Sequence, residues 1–377
     1  MRIIIGADIV PTKSNVQLFS EGKTEELIGT ELMEMLTAPN TYTIFNLEVP
    51  LSDIQDPISK FGPNLIAPSK AIEGYKALNI DLLTLANNHI LDHGAQGLNA
   101  TINLLDQNGI GYLGAGQNIN EAAKSYLFAF ANKTIGVYAC AEHEFSIAGS
   151  ETAGANPFDP LETPDHIREL KQQCDYIIVL YHGGKEHYRY PSPNLQKNCR
   201  KLVDCGADLI VCQHSHCIGC EEKYKDATII YGQGNFLFDA SDIEYWLTSL
   251  LIQVDEEMNI TYIPLVKQGN GVRLASGDEK QEIMNAFYDR SKEAATPDVL
   301  EKKYSDFSKA MFDSYLYRFS GHKNVLFRIV NKLSGQRFWK WYLKRKYRKN
   351  DLLQLRNIVE CEAHSELLLY MLRQGVI

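Results

Sequence analysis

The sequence predicts an α/β fold in which a largely parallel sheet is covered by helices. Short apolar runs of strand length alternate with segments of helical spacing through the first half of the chain. Several of these apolar runs also end directly in an Asp, Glu, Asn or His side chain. Because the carboxyl ends of parallel strands lie along one edge of a sheet, this repetition predicts that the polar endings share a crevice.

The strands and helices can be assigned in chain order from the spacing of apolar residues. The apolar runs predict strands over residues 2–6, 42–47, 82–86, 134–139, 176–181, 209–212 and 228–231, and then an antiparallel pair over 250–254 and 260–265. Helical spacing predicts helices over residues 24–36, 69–78, 95–108 and 194–205. We expect Ser69 to be the N-cap of the second helix, Gly109 and Gly206 to end the third and fourth, and the proline-rich residues 156–164 to form a loop.

Size, charge and composition bound the domain organisation and the function classes. The chain has 377 residues, of which 45% are hydrophobic, which is enough for one large domain or two medium-sized ones. The character of the sequence changes near residue 278, and this predicts a first domain over residues 1–277 and a helical region over 278–377. The formal net charge of −9 argues against general nucleic-acid binding.

The N-terminal residues and the distribution of apolar runs predict a cytoplasmic location. The first apolar run is interrupted at once by Asp8, Lys13 and Asn15, so we expect no hydrophobic signal core. No run approaches the roughly 20 apolar residues that a bilayer-spanning helix needs.

The polar endings of the predicted strands carry the ligand types of a metal site. In chain order they are Asp8, Glu48, Asn88, His182, His214, His216 and Asn235. Carboxylate, amide and imidazole donors in one set suit Mn²⁺, Fe²⁺ or Zn²⁺. Two histidines at positions i and i+2 in a loop can reach two ions about 3.5–4 Å apart. Such a pair of ions can activate water and hold a phosphoryl oxygen.

Other residues near these endings are candidates for catalysis and substrate binding. A carboxylate such as Glu48 is suited to bridge two ions, and His89, next to Asn88, can stay outside the coordination and protonate a leaving oxygen. Glu142 and His143 end a further predicted strand, and two interpretations stay open for them: substrate contact or solvated loop. Together with Asn235, they form the predicted substrate-binding set.

The C-terminal region is helical in pattern and locally basic. Residues 279–319 and 352–372 have helical spacing. Between residues 323 and 349 there are ten Lys and Arg residues and no Asp or Glu, interleaved with aromatic residues. Three interpretations stay open: a packed helix with a solvated cationic face, an interfacial helix on anionic lipid, or a docking site for an anionic polymer or partner. Nucleic acid is the least favoured partner because the rest of the chain is acidic.

Several short motifs, taken together, resemble those of a known family. The sequence is similar to the CapA-type poly-γ-glutamate capsule-synthesis family, whose domain is related to the calcineurin-like metallophosphoesterases. The matching segments cover about residues 1–240 and are Gly6-Ala7-Asp8, Asn46-Leu47-Glu48-Val49-Pro50-Leu51, Asn87-Asn88-His89-Ile90-Leu91-Asp92, His182-Gly183-Gly184-Lys185-Glu186, Gln213-His214-Ser215-His216 and Gly234-Asn235-Phe236-Leu237-Phe238-Asp239.

The resemblance implies a four-layer α/β/β/α sandwich with two bound divalent metal ions, here followed by a C-terminal helical extension. By analogy with the phosphoesterases, Asp8 and His216 would bind one ion, and Asn88, His182 and His214 would bind the other. Glu48 would bridge the two ions, and His89 would be the acid.

The sequence departs from the phosphoesterase pattern at one metal ligand. Phosphoesterases usually carry a histidine two residues after the first aspartate, and Val10 stands at that place here. Gly183, Gln213 and Ser215 also differ from the residues that are common around the matching histidines. The resemblance therefore implies a first metal position with one protein ligand fewer.

Two functional hypotheses follow from the residues and the resemblance. The first is a metal-dependent hydrolase of capsule or cell-surface polymer metabolism, acting on a phosphoester or on an amide bond of an anionic polymer. The second is a non-catalytic accessory factor of a capsule-synthesis or export complex. Val10 favours the second hypothesis, and the otherwise complete ligand set favours the first.

Overall fold

The computed structural model describes residues 1–239, 242–321, 325–335 and 337–373. It contains two compact units, Met1–Glu301 and Lys302–Ile377. The predicted division between residues 277 and 278 stays a prediction, because compactness alone does not show which segments fold independently. Lys323, the first cation of the predicted basic segment, lies outside the described residues.

Within the described residues, every strand belongs to the first unit. They are β1 (Arg2–Ile9), β2 (Thr41–Leu47), β3 (Leu82–Thr84), β4 (Gly111–Leu113), β5 (Ala115–Gly116), β6 (Tyr126–Phe130), β7 (Lys133–Ala141), β8 (Gly154–Ala155), β9 (Tyr176–His182), β10 (Leu209–Gln213), β11 (Glu221–Tyr224), β12 (Ala227–Tyr231), β13 (Asn235–Leu237), β14 (Thr248–Asp255), β15 (Ile260–Gln268) and β16 (Gly271–Leu274).

These strands form two sheets and a short ribbon. The larger sheet has the order β16-β15-β14-β1-β2-β3-β4, with β13 also paired to β1, and the smaller sheet has the order β11-β12-β10-β9-β7-β6. The neighbours β1 to β4 are parallel, and so are β7, β9, β10 and β12. The predicted antiparallel pair is confirmed as β14 and β15. The ribbon consists of β5 and β8.

The helices complete the architecture. They are α1 (Val16–Ser20), α2 (Glu25–Ile28), α3 (Thr30–Thr37), α4 (Ile72–Ala77), α5 (Gly94–Asn108), α6 (Ile119–Ala122), α7 (Glu162–Lys171), α8 (Pro193–Asp204), α9 (Gly277–Ala294), α10 (Pro297–Phe319), α11 (Val325–Leu333), α12 (Arg337–Lys346), α13 (Lys349–Glu360) and α14 (Glu362–Arg373). Helix α9 contacts β11 and β15 in the first unit.

Alternate residues of β1 pack on opposite faces of the larger sheet, as the period of two in a strand requires. Ile4 joins an apolar core with Phe19 of α1 and Leu98 of α5. Ile3 and Ile5 join a different core, which they share with the smaller sheet. Burying each of these side chains contributes about 1.5–3 kcal/mol to the stability of the fold.

The smaller sheet repeats this division between an inner and an outer face. Ile178 and Leu180 of β9 pack in the core between the two sheets. Val179 lies on the other face, in a core that includes Ile167 of α7 and Leu202 of α8. The order of layers is therefore helices, sheet, sheet, helices, which confirms the predicted four-layer sandwich. The predicted C-terminal helical extension is also confirmed.

Three predicted helices differ from those in the structure. The helix expected over residues 24–36 is broken into α2 and α3 at Gly29, whose φ of 75° is outside the helical range. Ser69 is not an N-cap, because it lies inside a first 3₁₀ turn and its N–H donates to Asp53 Oδ1 at 3.0 Å. The helix expected over 352–372 is two helices, separated where Cys361 adopts an extended ψ of 117°.

The expected loop over residues 156–164 is shorter than predicted. Helix α7 begins at Glu162 and contains Pro164 in its first turn, where a missing N–H costs nothing.

The expectation that all strand endings lie on one sheet edge is also wrong. The endings belong to two stacked sheets, whose carboxyl ends lie side by side.

No helix within the described residues combines the length and the apolar character that a bilayer crossing requires.

Candidate metal centre

The larger sheet positions the first half of the centre at the carboxyl ends of β1, β2 and β3. Asp8 of β1 is paired in register with Asn46 of β2 on one side and with Asn235 of β13 on the other. Glu48 follows β2 directly, and Asn88 lies in the turn after β3. Parallel pairing therefore brings together residues that are far apart in the sequence.

The smaller sheet contributes the histidines. His182 is the last residue of β9 and is paired in register with Gln213 at the end of β10. His214 and His216 follow β10 with φ angles of 77° and 51°, in the left-handed region that non-glycine residues rarely occupy. The chain thus turns sharply after β10, and both imidazoles lie among the potential metal ligands.

The structure brings the predicted metal-ligating side chains into two groups that share Glu48. Glu48, His182 and His214 form one group, and Asp8, Glu48 and His216 form the other. Within each group, the potential ligand atoms lie within 4.8 Å of one another. This is the arrangement expected for two ions bridged by one carboxylate.

The first group is crowded around one nitrogen of His182. His182 Nε2 lies 3.0 Å from Asn88 Oδ1, 3.1 Å from His214 Nδ1 and 3.3 Å from Glu48 Oε1. A single ring nitrogen offers one hydrogen or one lone pair, so it cannot satisfy three such neighbours. All four atoms can be ligands of one cation.

The second group is built around His216. His216 Nδ1 lies 2.8 Å from Asn235 Oδ1 and 3.4 Å from Asp8 Oδ2. The other carboxylate oxygen, Asp8 Oδ1, accepts a hydrogen bond of 2.7 Å from Asn46 Nδ2. This leaves Asp8 Oδ2 directed toward His216 and available to a cation.

The surroundings of Glu48 show whether these side chains fit metal ions. Glu48 is fully buried, and neither of its carboxylate oxygens finds a hydrogen-bond donor among the described residues. Burying an ionised carboxylate without hydrogen-bond donors costs roughly several kcal/mol, because the lost hydration is not replaced. A divalent cation on each side of the carboxylate would offset that cost, so the donor set fits a pair of such ions.

The pKa shifts in the centre follow from burial and from these charges. Burial and the neighbouring Asp8 raise the pKa of Glu48 to about 8. Burial alone would lower the pKa of His216, but Glu48 and Asp8 outweigh it and raise that pKa to about 9. Burial lowers the pKa of His182 to about 4, and burial and His182 lower the pKa of His214.

His89 lies beside the centre in a separate polar cluster. His89 Nδ1 lies 2.6 Å from Asp92 Oδ2, which fixes the orientation of the ring. Lys60, whose side chain is only 3% exposed, forms an ion pair with Asp92 and lies 3.3 Å from His89 Nδ1. Asp92 also accepts a hydrogen bond of 2.6 Å from the Leu65 N–H.

The predicted substrate-binding residues occupy different environments. Asn235 is buried against His216, as described above. Glu142 Oε1 accepts a hydrogen bond of 3.0 Å from the Gly184 N–H, in the loop after His182, and burial raises the pKa of Glu142. His143 is exposed. A substrate-binding role for Glu142, His143 and Asn235 stays a prediction.

Sequence reasoning missed four residues that contact the centre or His89. Asn46 and Asn87 lie inside the recognised motifs, and Asn87 Nδ2 donates to Asn46 Oδ1 at 3.1 Å. Asp92 also lies in a recognised motif, three residues after His89, and that spacing could have suggested a partner. Lys60 comes from an irregular segment with no periodicity, and no signal in the sequence points to it.

With this geometry established, comparison with known proteins decides the family. Residues 5–240 match the family model described as bacterial capsule synthesis protein PGA_cap. The chain belongs to this family. The matched PGA_cap segment contains every predicted metal ligand, and the resemblance inferred from the motifs is confirmed.

Individual PGA_cap relatives match only part of their length. The chain is 31% identical over 174 residues to the PGA biosynthesis protein CapA of Bacillus subtilis (strain 168), over 45% of this chain and 46% of that protein. It is 32% identical over 184 residues to the capsule biosynthesis protein CapA of Bacillus anthracis, over 47% and 44%. The chain thus spans about half the length of the curated relatives it matches.

Among solved structures, a novel phosphatase from Mycoplasma pneumoniae is similar over 71% of this chain and 94% of that chain. The identity is 16% and the TM-score is 0.44. At this level the likeness assigns neither an activity nor a ligand to the PGA_cap chain.

Metal binding should compete with protons. The raised pKa values of Glu48 and His216 mean that this pair retains protons at neutral pH in the metal-free protein, and bound ions require the deprotonated forms. We expect the affinity for Mn²⁺ to rise between about pH 6 and about pH 9, with release of protons at neutral pH. Calorimetric titration in buffers of different ionisation enthalpy measures both quantities. An affinity independent of pH would contradict this assignment.

The two ion positions should differ in affinity. Glu48, Asn88, His182 and His214 surround one position, whereas Val10 packs into the helix-side core and supplies no ligand to the other. We expect two classes of Mn²⁺ site whose dissociation constants differ by about tenfold or more. His216→Ala should remove the weaker site and His214→Ala the tighter one, as measured by chelator competition. Equal loss of both ions in both variants would refute the assignment.

Proposed function

We propose that this PGA_cap chain is a dinuclear-metal-dependent hydrolase of capsule or cell-surface polymer metabolism. The observation that carries the proposal is the buried carboxylate of Glu48, which lacks hydrogen-bond donors and is shared by two groups of metal-ligand side chains. The substrate would be a phosphoester, or an amide bond of an anionic polymer. The family membership supports a place in capsule synthesis.

Two divalent ions, of Mn²⁺, Fe²⁺ or Zn²⁺, would supply Lewis acidity that activates water and withdraws charge from the substrate's phosphoryl or carbonyl oxygen. Asn88, His182 and His214 would hold one ion, Asp8 and His216 the other, and Glu48 both. The chain's own contribution is to hold these donors at fixed positions on the ends of rigid strands.

His89 would act as the general acid. Asp92 accepts the hydrogen of His89 Nδ1, so the other ring nitrogen, Nε2, is left to donate a proton to the leaving oxygen. Lys60 neutralises part of the charge of Asp92 and anchors the irregular segment that precedes the motif. Asp92 and Lys60 are therefore positioning residues, because they act through His89.

The partners of the chain belong to the same proposal. The expected substrate is an anionic polymer or a phosphoester. Poly-γ-glutamate, which carries many carboxylates, is an example of such a polymer. We propose that the chain works within a capsule-synthesis complex, since the family model that it matches is described as a bacterial capsule synthesis protein. We further propose that it does so in the cytoplasm.

A second candidate function is a non-catalytic accessory factor of the same polymer-synthesis or export complex. Val10, where phosphoesterases usually carry a histidine, favours it, because the Asp8 and His216 position lacks one ligand. Less than one bound ion per chain, together with no turnover, would support this alternative over the hydrolase.

Hydrolysis should depend on His89 and on His214. We expect the protein, purified without chelator and assayed with Mn²⁺, to cleave a generic phosphodiester or a γ-glutamyl amide. His89→Ala should lower kcat by about 10²–10⁴-fold at unchanged metal content, because it removes only the proton donor. His214→Ala should abolish both activity and one bound ion.

His364→Ala is the matched control, because this histidine is exposed on α14 in the second unit. Its activity and metal content should equal those of the unmodified protein. Activity that persists unchanged in His89→Ala would refute the assigned acid.

The positioning residues should affect turnover without affecting the ions. We expect Asp92→Asn to lower kcat by about 10–100-fold, because the ring of His89 loses its fixed orientation. Lys60→Met should lower kcat as well, and Lys60→Arg should restore most of it because the positive charge is kept. Steady-state kinetics and metal analysis on the same samples separate an effect on turnover from an effect on metal binding. A loss of bound metal in Lys60→Met would show a general structural role instead.

A further inference from the structure

The second unit contains a helical hairpin whose interior is aromatic. Phe327 of α11 packs against Phe338 and Tyr342 of α12, with ring centroids 5.4 and 5.7 Å apart. Trp339 packs at 4.3 Å against Tyr317 of α10, and Leu343 is buried. One face of α12 is therefore fully used in packing within the unit.

The opposite face of α12 carries cations around one tryptophan. Residues at positions i, i+3, i+4, i+7 and i+8 share a helix face, and all five of them are exposed here: Arg337, Lys340, Trp341, Lys344 and Arg345. We call these five residues the α12 stripe.

Two large apolar side chains of the hairpin are at least half exposed. Trp341 is 52% exposed, and Leu333, the last residue of α11, is 82% exposed. The guanidinium of Arg345 lies 5.0 Å from the centre of the Trp341 ring, so a cation and an indole occupy the same surface position. One side of Trp341 contacts the aromatic interior, with its ring centroid 5.9 Å from that of Phe338, and about half of the side chain stays exposed.

We propose that the α12 stripe binds an anionic lipid surface. Four exposed cations on one face attract a negatively charged membrane, and an exposed indole between them is suited to the headgroup region, where its ring is removed from water. Leu333, exposed at the end of α11, is a second apolar side chain of the hairpin that a lipid surface would cover. The hairpin would lie on the membrane surface.

The exposed apolar side chains favour a membrane over a soluble polyanion. A polyanion in water would satisfy the four cations but would leave Trp341 and Leu333 in contact with solvent. A lipid headgroup region accommodates both the charges and the apolar side chains. The lack of any Asp or Glu between residues 323 and 349 removes the repulsion that acidic side chains would add. This inference is independent of the hydrolase proposal.

Vesicle sedimentation tests the proposal with the full chain. We expect it to bind vesicles that contain about one third phosphatidylglycerol, to bind phosphatidylcholine vesicles weakly, and to dissociate as NaCl is raised to about 0.5 M. Neutralising the stripe with Arg337→Gln, Lys340→Gln, Lys344→Gln and Arg345→Gln should lower the partition coefficient at least about tenfold. Brominated lipid should quench tryptophan fluorescence in the unmodified protein and much less in Trp341→Phe.

The matched control removes four exposed lysines from the first unit, as Lys13→Gln, Lys70→Gln, Lys197→Gln and Lys201→Gln. It loses the same net charge, so it should retain vesicle binding if the stripe is the binding surface. Equal loss in the control and in the stripe variant would overturn the proposal, as would absence of binding to anionic vesicles. Binding of soluble poly-glutamate through the stripe, with no binding to vesicles, would identify a polyanion site instead. Circular dichroism and the metal content of each variant confirm that it is folded.

Discussion

The face-to-face packing of two sheets is the constraint on which the rest of the structure depends. The apolar core between them, with Ile3 and Ile5 on one side and Ile178 and Leu180 on the other, fixes the carboxyl ends of both sheets at the same place. Polar residues that end separate strands consequently meet at one centre. Burial at this centre raises the pKa of Glu48, whose carboxylate has no hydrogen-bond donor among the described residues.

Much of this arrangement could be predicted from the sequence, because buried parallel strands are short and apolar throughout. Such strands can be recognised in the sequence as short apolar runs, and the polar residues at their carboxyl ends lie at the site. Asp8, Glu48 and His182 could be selected in this way, since each marks an abrupt change from apolar to polar at a strand end. The sequence could not distinguish one sheet from two by periodicity, because both arrangements bury their strands on both faces; the motif resemblance supplied that distinction.

The remaining features depend on contacts between distant parts of the chain. Lys60 lies in a segment without helix or strand, and only the folded structure shows that it is buried against Asp92. The role of Ser69 was mispredicted for the same reason, because Asp53, sixteen residues earlier, binds its N–H. The glycine that breaks the first predicted helix, Gly29, was visible in the sequence, but a single glycine does not always end a helix.

The left-handed backbone at His214 and His216 has a consequence for how the centre is kept assembled. A non-glycine residue in this conformation costs about 1–2 kcal/mol relative to ordinary backbone, and two of them flank a single serine. The backbone of such a loop tends to return to ordinary φ angles unless the two imidazoles are held by a ligand. Bound ions would be such ligands and would stabilise the conformation of the loop after β10. Because they would also link residues of the two sheets, they would contribute to stability in addition to any chemistry.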